Sequence, residues 1–379
     1  MKRIADFLRS ISLRPELGRY VRELNFSTFS SFQLEEDHLK AFADAAARLG
    51  VSLDDGVEEL PYEVMVQLTI AQTPNVRVIG VTAYEVYSHD GIGAFTLLEE
   101  IAAQSPARVS LPHLRRLFLG HDHHRRISLG YFGGIIQLAP CIREVAMKPC
   151  YGLNYAGKDM KDEISLKNVT TLRLNGGHIT KSELEWIIRL CGELEVFEYK
   201  HHSIYFSLDT DCVTPREVME ILKPHRNTLR SISLDLGRRA RQGSDDFDFS
   251  RFCAHGDKIL SLKNYSQLEK LQIDGSSVLF PEAQTPGYRT DILTELLPIS
   301  IRRFYLTNAQ KEATANMITL ANSIAKFPLL KYIVLTGNSI EGPLGDIQVI
   351  FDKGEIDILR KVLKDNGVRF EVVGEWPNP

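Results

Sequence analysis

One pattern recurs along the whole chain: an apolar residue, two variable ones, a second apolar residue, one variable residue, a third apolar residue. It appears as Val21-Arg22-Glu23-Leu24-Asn25-Phe26 and, less cleanly, as Val76-Arg77-Val78-Ile79-Gly80-Val81. Clearer copies begin at Leu114, Ile142, Val169, Leu194, Leu229, Leu268, Ile301 and Leu330, and Val368 to Val373 reads as a closing strand. The fourth residues of the copies fall at 24, 79, 117, 145, 172, 197, 232, 271, 304 and 333, so the spacings are 55, 38, 28, 27, 25, 35, 39, 33 and 29. In a strand successive side chains point to opposite faces. The fourth and sixth residues therefore face one way, into a core, and the fifth and seventh face the other way.

Between the copies the apolar period changes from two to three and four. Leu184, Ile187, Ile188 and Cys191 make one helical face, behind a capping box of Thr180 and Glu183. Thr214 and Glu217 repeat the box, with Pro215 at the permitted first helical position. Further helices are predicted at 35–49, 58–72, 93–104, 289–297, 310–326 and 354–365, and Ile4, Phe7, Leu8 and Ile11 predict a packed first helix. One strand and one helix per unit, with central spacings in or near the 20–29 residues of leucine-rich repeats, predict an α/β leucine-rich-repeat solenoid. Parallel strands would line its concave face and helices its convex one. No single unit can bury its apolar face alone, so 1–379 reads as one domain. Within it, 1–75 holds capping helices and the first strand, 76–340 the central repeats, and 341–379 a C-terminal cap.

The fifth residues give a row across the concave face: Phe118, Ala146, Arg173, Glu198, Ser233, Gln272, Tyr305 and Val334. The seventh give a second: Gly120, Lys148, Asn175, Lys200, Asp235, Asp274, Thr307 and Thr336. Neighbouring strands lie about 4.8 Å apart, which brings Arg173 within pairing range of Glu198. The ligand-binding residues expected are Phe118, Lys148, Arg173, Asn175, Glu198, Lys200, Ser233, Asp235, Gln272, Asp274 and Tyr305.

Histidine gathers just past the strands, at His121, His123, His124, His178, His201 and His202, six of the eleven in the chain. The spacing of His121 and His123 permits metal ligation in an extended segment, although no metal site is assigned. If the chain is an enzyme, His121, His123, His178, His202 and Asp235 are the candidates for acid–base work. Three insertions border the same rim: 148–168, 236–257 (Arg238, Arg239 and Arg241, then Asp245, Asp246 and Asp248) and 274–290.

A net charge of −4 gives no global pull toward nucleic acid. No apolar run approaches the roughly 18 residues of a spanning helix, so neither nucleic acid nor a membrane is an expected partner. The five cysteines include no CxxC pair. They indicate neither zinc nor a disulfide framework, Cys141 and Cys191 read as core thiols, and a cytoplasmic or nuclear setting fits. No phosphate-binding glycine loop, HExxH or GxSxG in a strand-turn-helix context is present, and no cofactor is expected.

The opening Phe7-Leu8-Arg9, Arg14-Pro15-Glu16-Leu17 and Tyr20-Val21-Arg22-Glu23-Leu24 resembles the linker and first repeat of ascomycete F-box leucine-rich-repeat proteins. In that family a helical F-box precedes this stretch and docks a ubiquitin-ligase adaptor, while the repeats capture the substrate. Met1 to Leu13 is too short to supply an F-box, so the resemblance implies a binding scaffold without that adaptor. The expected function is non-catalytic recognition of a protein or small molecule on the concave face. The alternative is a cofactor-independent enzyme of specialised metabolism, of cyclase or isomerase type, with its pocket at the histidine rim.

Overall fold

The computed structural model describes residues 2–27, 35–51, 62–83, 97–98, 100–101, 109–121, 127–148, 153–154, 164–177, 179–201, 213–236, 257–278, 289–309, 313–337, 339–342, 345–348 and 351–373. Eleven strands hydrogen-bond in chain order into one open, parallel sheet. They are β1 (Glu23–Ser27), β2 (Val78–Ala83), β3 (Arg116–His121), β4 (Glu144–Met147), β5 (Thr171–Gly177), β6 (Val196–His201), β7 (Ser231–Asp235), β8 (Lys270–Asp274), β9 (Arg303–Ala309), β10 (Tyr332–Gly337) and β11 (Arg369–Val373). Each copy of the sequence pattern is one strand, and the expected closing strand pairs in parallel with β10.

The apolar positions make the core. Leu117, Val145, Leu172, Phe197, Ile232, Leu271, Phe304 and Ile333, all fourth residues, are fully buried, and the sixth residues are buried with them. Burial of each such side chain contributes about 1.5–3 kcal/mol. Just before most of the strands the backbone repeats one device. The carbonyl of the second residue accepts two N–H groups from the next unit: Arg77 O from Arg115 and Arg116, Arg115 O from Arg143 and Glu144, and Glu269 O from Arg302 and Arg303. This fixes the register at the entry of these strands.

The described helices include α1 (Lys2–Leu13), which precedes β1, and, between strands, α2 (Glu36–Leu49), α3 (Tyr62–Ala71), α4 (Gly133–Leu138), α5 (Lys181–Leu190), α6 (Pro215–Leu222), α7 (Ile292–Leu296), α8 (Ala313–Asn322) and α9 (Lys353–Asp365). Both capping boxes form: Thr180 N–H donates to Glu183 Oε2 at 2.7 Å, and Thr214 with Glu217 closes both bonds reciprocally. Glu217 also takes Lys181 at 3.1 Å. Its partial burial pushes its carboxyl up, and the bonds from Thr214 and Lys181 outweigh that and hold it below the usual range.

Two compact units divide the chain, one of residues 1–174 and 189–192, the other of 175–188 and 193–379. In the first, α1 packs on α2 and α3, burying Ala5, Leu8 and Ile11, and Gly18 lets the chain pass close to Gln72, whose carbonyl a Cβ would meet at 2.1 Å. Ile127–Ser128 and Leu153–Asn154 add a short parallel pair there. The second unit carries a hairpin of Ser339–Gly342 and Gly345–Gln348. Cys191 is buried, which pushes its thiol up to about 12. Cys141, expected in the core, is instead half-buried because it sits in the turn that precedes β4. Cys150, Cys212 and Cys253 lie outside the described residues.

Candidate functional site

Alternation along the strands sets the third and fifth residues on the face opposite the core, and the ladder aligns them across strands. In the first unit Gly80, Phe118, Ala146 and Arg173 are register partners in sequence. Phe118 is half-buried, Lys148 is exposed, and Arg173 Nε donates to Glu144 Oε1 on the neighbouring strand at 2.9 Å. Gly80 leaves room that Asn25 fills, since a Cβ at Gly80 would meet Asn25 Oδ1 at 2.4 Å.

In the second unit Glu198, Ser233, Gln272, Tyr305, Val334 and Glu371 form one continuous row. Lys200 and Asp235 are register partners one step further along, and Asn175 is half-buried near the end of β5. Glu198 keeps only 9% of its exposure and takes Lys200 Nζ at 2.8 Å. Ser233, at 7%, holds its hydroxyl buried with no hydrogen-bond partner among the described residues. Such a group is costly unless something satisfies it.

Beyond Gln272 the third-position residues join the row and make a diagonal cluster. Lys270 Nζ stands 5.3 Å from the centroid of the Tyr305 ring. That ring meets Tyr332 edge-on, centroids 5.7 Å apart. Arg369 lies over the Tyr332 ring at 5.6 Å, and Tyr332 donates its hydroxyl to Glu371 Oε2 at 2.5 Å. Glu371 also pairs with Arg369. The Tyr332 bond holds the Glu371 carboxyl below its ordinary value, and the same bond raises the phenol of Tyr332. Sequence reasoning found Tyr305 and missed Lys270, Tyr332, Arg369 and Glu371. The signal that would have found Lys270, Tyr332 and Arg369 is plain: the third residue of each repeat shares a face with the fifth, and Glu371 continues the fifth-residue row into the closing strand.

Asp274 is a correction. Expected on the exposed seventh row with the ligand-binding residues, it is wholly buried. The chain leaves β8 directly into a 3₁₀ turn, Gly275–Ser277, so strand alternation ends there. Its carboxylate accepts the N–H of Leu236 at 2.8 Å, the N–H of Ser277 at 3.1 Å and the hydroxyl of Ser277 at 2.6 Å. It is a turn anchor linking the ends of β7 and β8.

The histidine rim lies largely outside the described residues. His121 ends β3 and His201 ends β6, without describable side chains, while His123, His124, His178 and His202 fall outside, as do Arg238, Arg239, Arg241, Asp245, Asp246 and Asp248. Among the described residues no group of His, Cys, Asp and Glu could hold a metal ion, and no helix is long and apolar enough to cross a membrane.

No family model matches the chain, and no curated protein matches it. Among solved structures it is similar to a protein of Bacteroides fragilis at 14% identity and a TM-score of 0.37, over 93% of this chain and 87% of that one. A likeness that distant carries no argument about function.

Proposed function

We propose that the chain is a leucine-rich-repeat solenoid that acts as a non-catalytic recognition scaffold and takes a protein partner on the face of its parallel sheet opposite the helices. The observation that carries this reading is the diagonal of Lys270, Tyr305, Tyr332, Arg369 and Glu371. Tyrosine and arginine dominate the energetics of protein interfaces, because they offer large rigid area with a polar end. Here both rings are held by neighbours, so little side-chain freedom is left to lose on binding. The patch is open, with the Arg369 side chain 76% exposed, which suits a broad partner better than an enclosed small molecule. The resemblance to the substrate-capturing repeats of F-box proteins supports the same assignment.

The test is a binding measurement against a partner recovered by the intact protein. Replacing Tyr305 and Tyr332 together by alanine is expected to weaken capture by about thirtyfold or more, as loss of hot-spot residues worth about 2 kcal/mol does. Undiminished affinity of the double variant, with its circular dichroism unchanged, would overturn the proposal.

A further inference from the structure

We propose a second docking surface, in the first unit and independent of the tyrosine patch: a ladder of arginines at the entries of β1 to β4 that takes an extended polypeptide segment rich in Asp and Glu. Arg22, Arg77, Arg115 and Arg143 hold the same place in four successive repeats, the second residue, immediately before the strand. Backbone bonds from one unit to the next stack them: Arg22 O accepts from Arg77 N, Arg77 O from Arg115 N, and Arg115 O from Arg143 N, at 2.8, 2.9 and 2.9 Å. All four side chains are exposed.

Like charges in directly adjacent positions of a parallel ladder repel. The second unit relieves that repulsion internally, where Glu269 sits between Arg230 at 3.7 Å and Arg302 at 3.6 Å. Among its described residues the first unit does not. Among the described residues none of the four guanidiniums is ion-paired; Arg22 and Arg115 donate only to backbone carbonyls. The carboxylates nearest in sequence are occupied, Glu23 by Asn25 and Glu144 by Arg173. Arg116 adds a further exposed cation beside the ladder. The chain as a whole is acidic, so this concentration of positive charge is local.

Charge complementarity selects an anion, and the surroundings select its kind. Four rungs about 4.8 Å apart span about 14 Å, the length of roughly four extended residues. Guanidinium forks match carboxylates two bonds at a time. The residues on either side of each arginine are aliphatic or charged, so bases would find no stacking platform there. Ile142, the chain neighbour of Arg143, also lines a cleft with Ile136, Pro140, Leu166 and Val169, with Lys167 at its side. In an extended segment alternate side chains point to opposite faces, so acidic residues could meet the ladder while an apolar one enters the cleft.

The experiment is fluorescence anisotropy of the full chain with a labelled peptide of alternating glutamate and leucine, beside a single-stranded oligonucleotide of equal charge. Binding of the peptide is expected to fall at least tenfold in R77E/R115E/R143E and to weaken with added salt. The R230E/R302E variant should bind like the wild type. No peptide binding by the wild type, equal binding by the triple variant, or equal loss in both variants would overturn the assignment. Tighter binding of the oligonucleotide than of the peptide would overturn it in favour of nucleic acid.

Discussion

At the scale of the residue, the tyrosine patch rests on one proton. Tyr332 donates to Glu371, so the bond needs the phenol protonated and the carboxyl ionised. The lowered carboxyl of Glu371 contributes stability that is present above its ordinary 4.5 and is lost as pH falls through its folded value. The raised phenol of Tyr332 contributes stability that is present below its ordinary 10.0 and is lost as pH rises through its folded value. The patch should therefore hold its arrangement between those limits. Tyr332→Phe is expected to move the Glu371 carboxyl up toward 4.5, read by carbon-detected NMR titration; an unmoved titration would show that the bond does not form. A sequence read for repeats places Tyr305 because the fifth residue lies between two core positions. Lys270 and Tyr332 are no harder to place by the same alternation, but the third residue stands beside the strand entry, where the apolar pattern is silent.

At the scale of the element, the local signals are strongest where one residue type has one job. The two capping boxes are such cases, and Thr214→Ala should cost about 1 kcal/mol in denaturant unfolding. An unchanged midpoint would mean that solvent replaces the cap without loss. Asp274 is the opposite case. A polar residue after the last apolar position of a strand reads as exposed, and only the turn of Gly275–Ser277 brings its carboxylate over the N–H groups of Leu236 and Ser277. Asp274→Ala leaves those buried donors unmatched and is expected to cost about 2–4 kcal/mol in the same unfolding measurement, more than removal of an exposed carboxylate could. A loss under about 0.5 kcal/mol would show the anchor to be dispensable. Gly18 is a third kind of case, silent in the sequence: a Cβ there would strike the backbone carbonyl of Gln72, which cannot move aside as a side chain can.

At the scale of the whole molecule, eleven strands in chain order follow directly from the repeat, because burial of the fourth and sixth residues is what the pattern encodes. The candidate surface was legible only in part. Side-chain partners depend on which neighbour a long side chain reaches, as Arg173 does with Glu144 and Lys270 with Tyr305, and no periodicity specifies that reach. In the proposed complex the sheet face, and not the helical side, meets the partner. Its most direct test places a photo-cross-linking amino acid at position 305 in one variant and at Ile358, which is 54% exposed on α9, in another. The variants are irradiated with the partner recovered by the unmodified protein, and the adducts are mapped by mass spectrometry. Adducts from position 305 and few from 358 are expected; adducts from 358 with none from 305 would place the partner on the helical side instead.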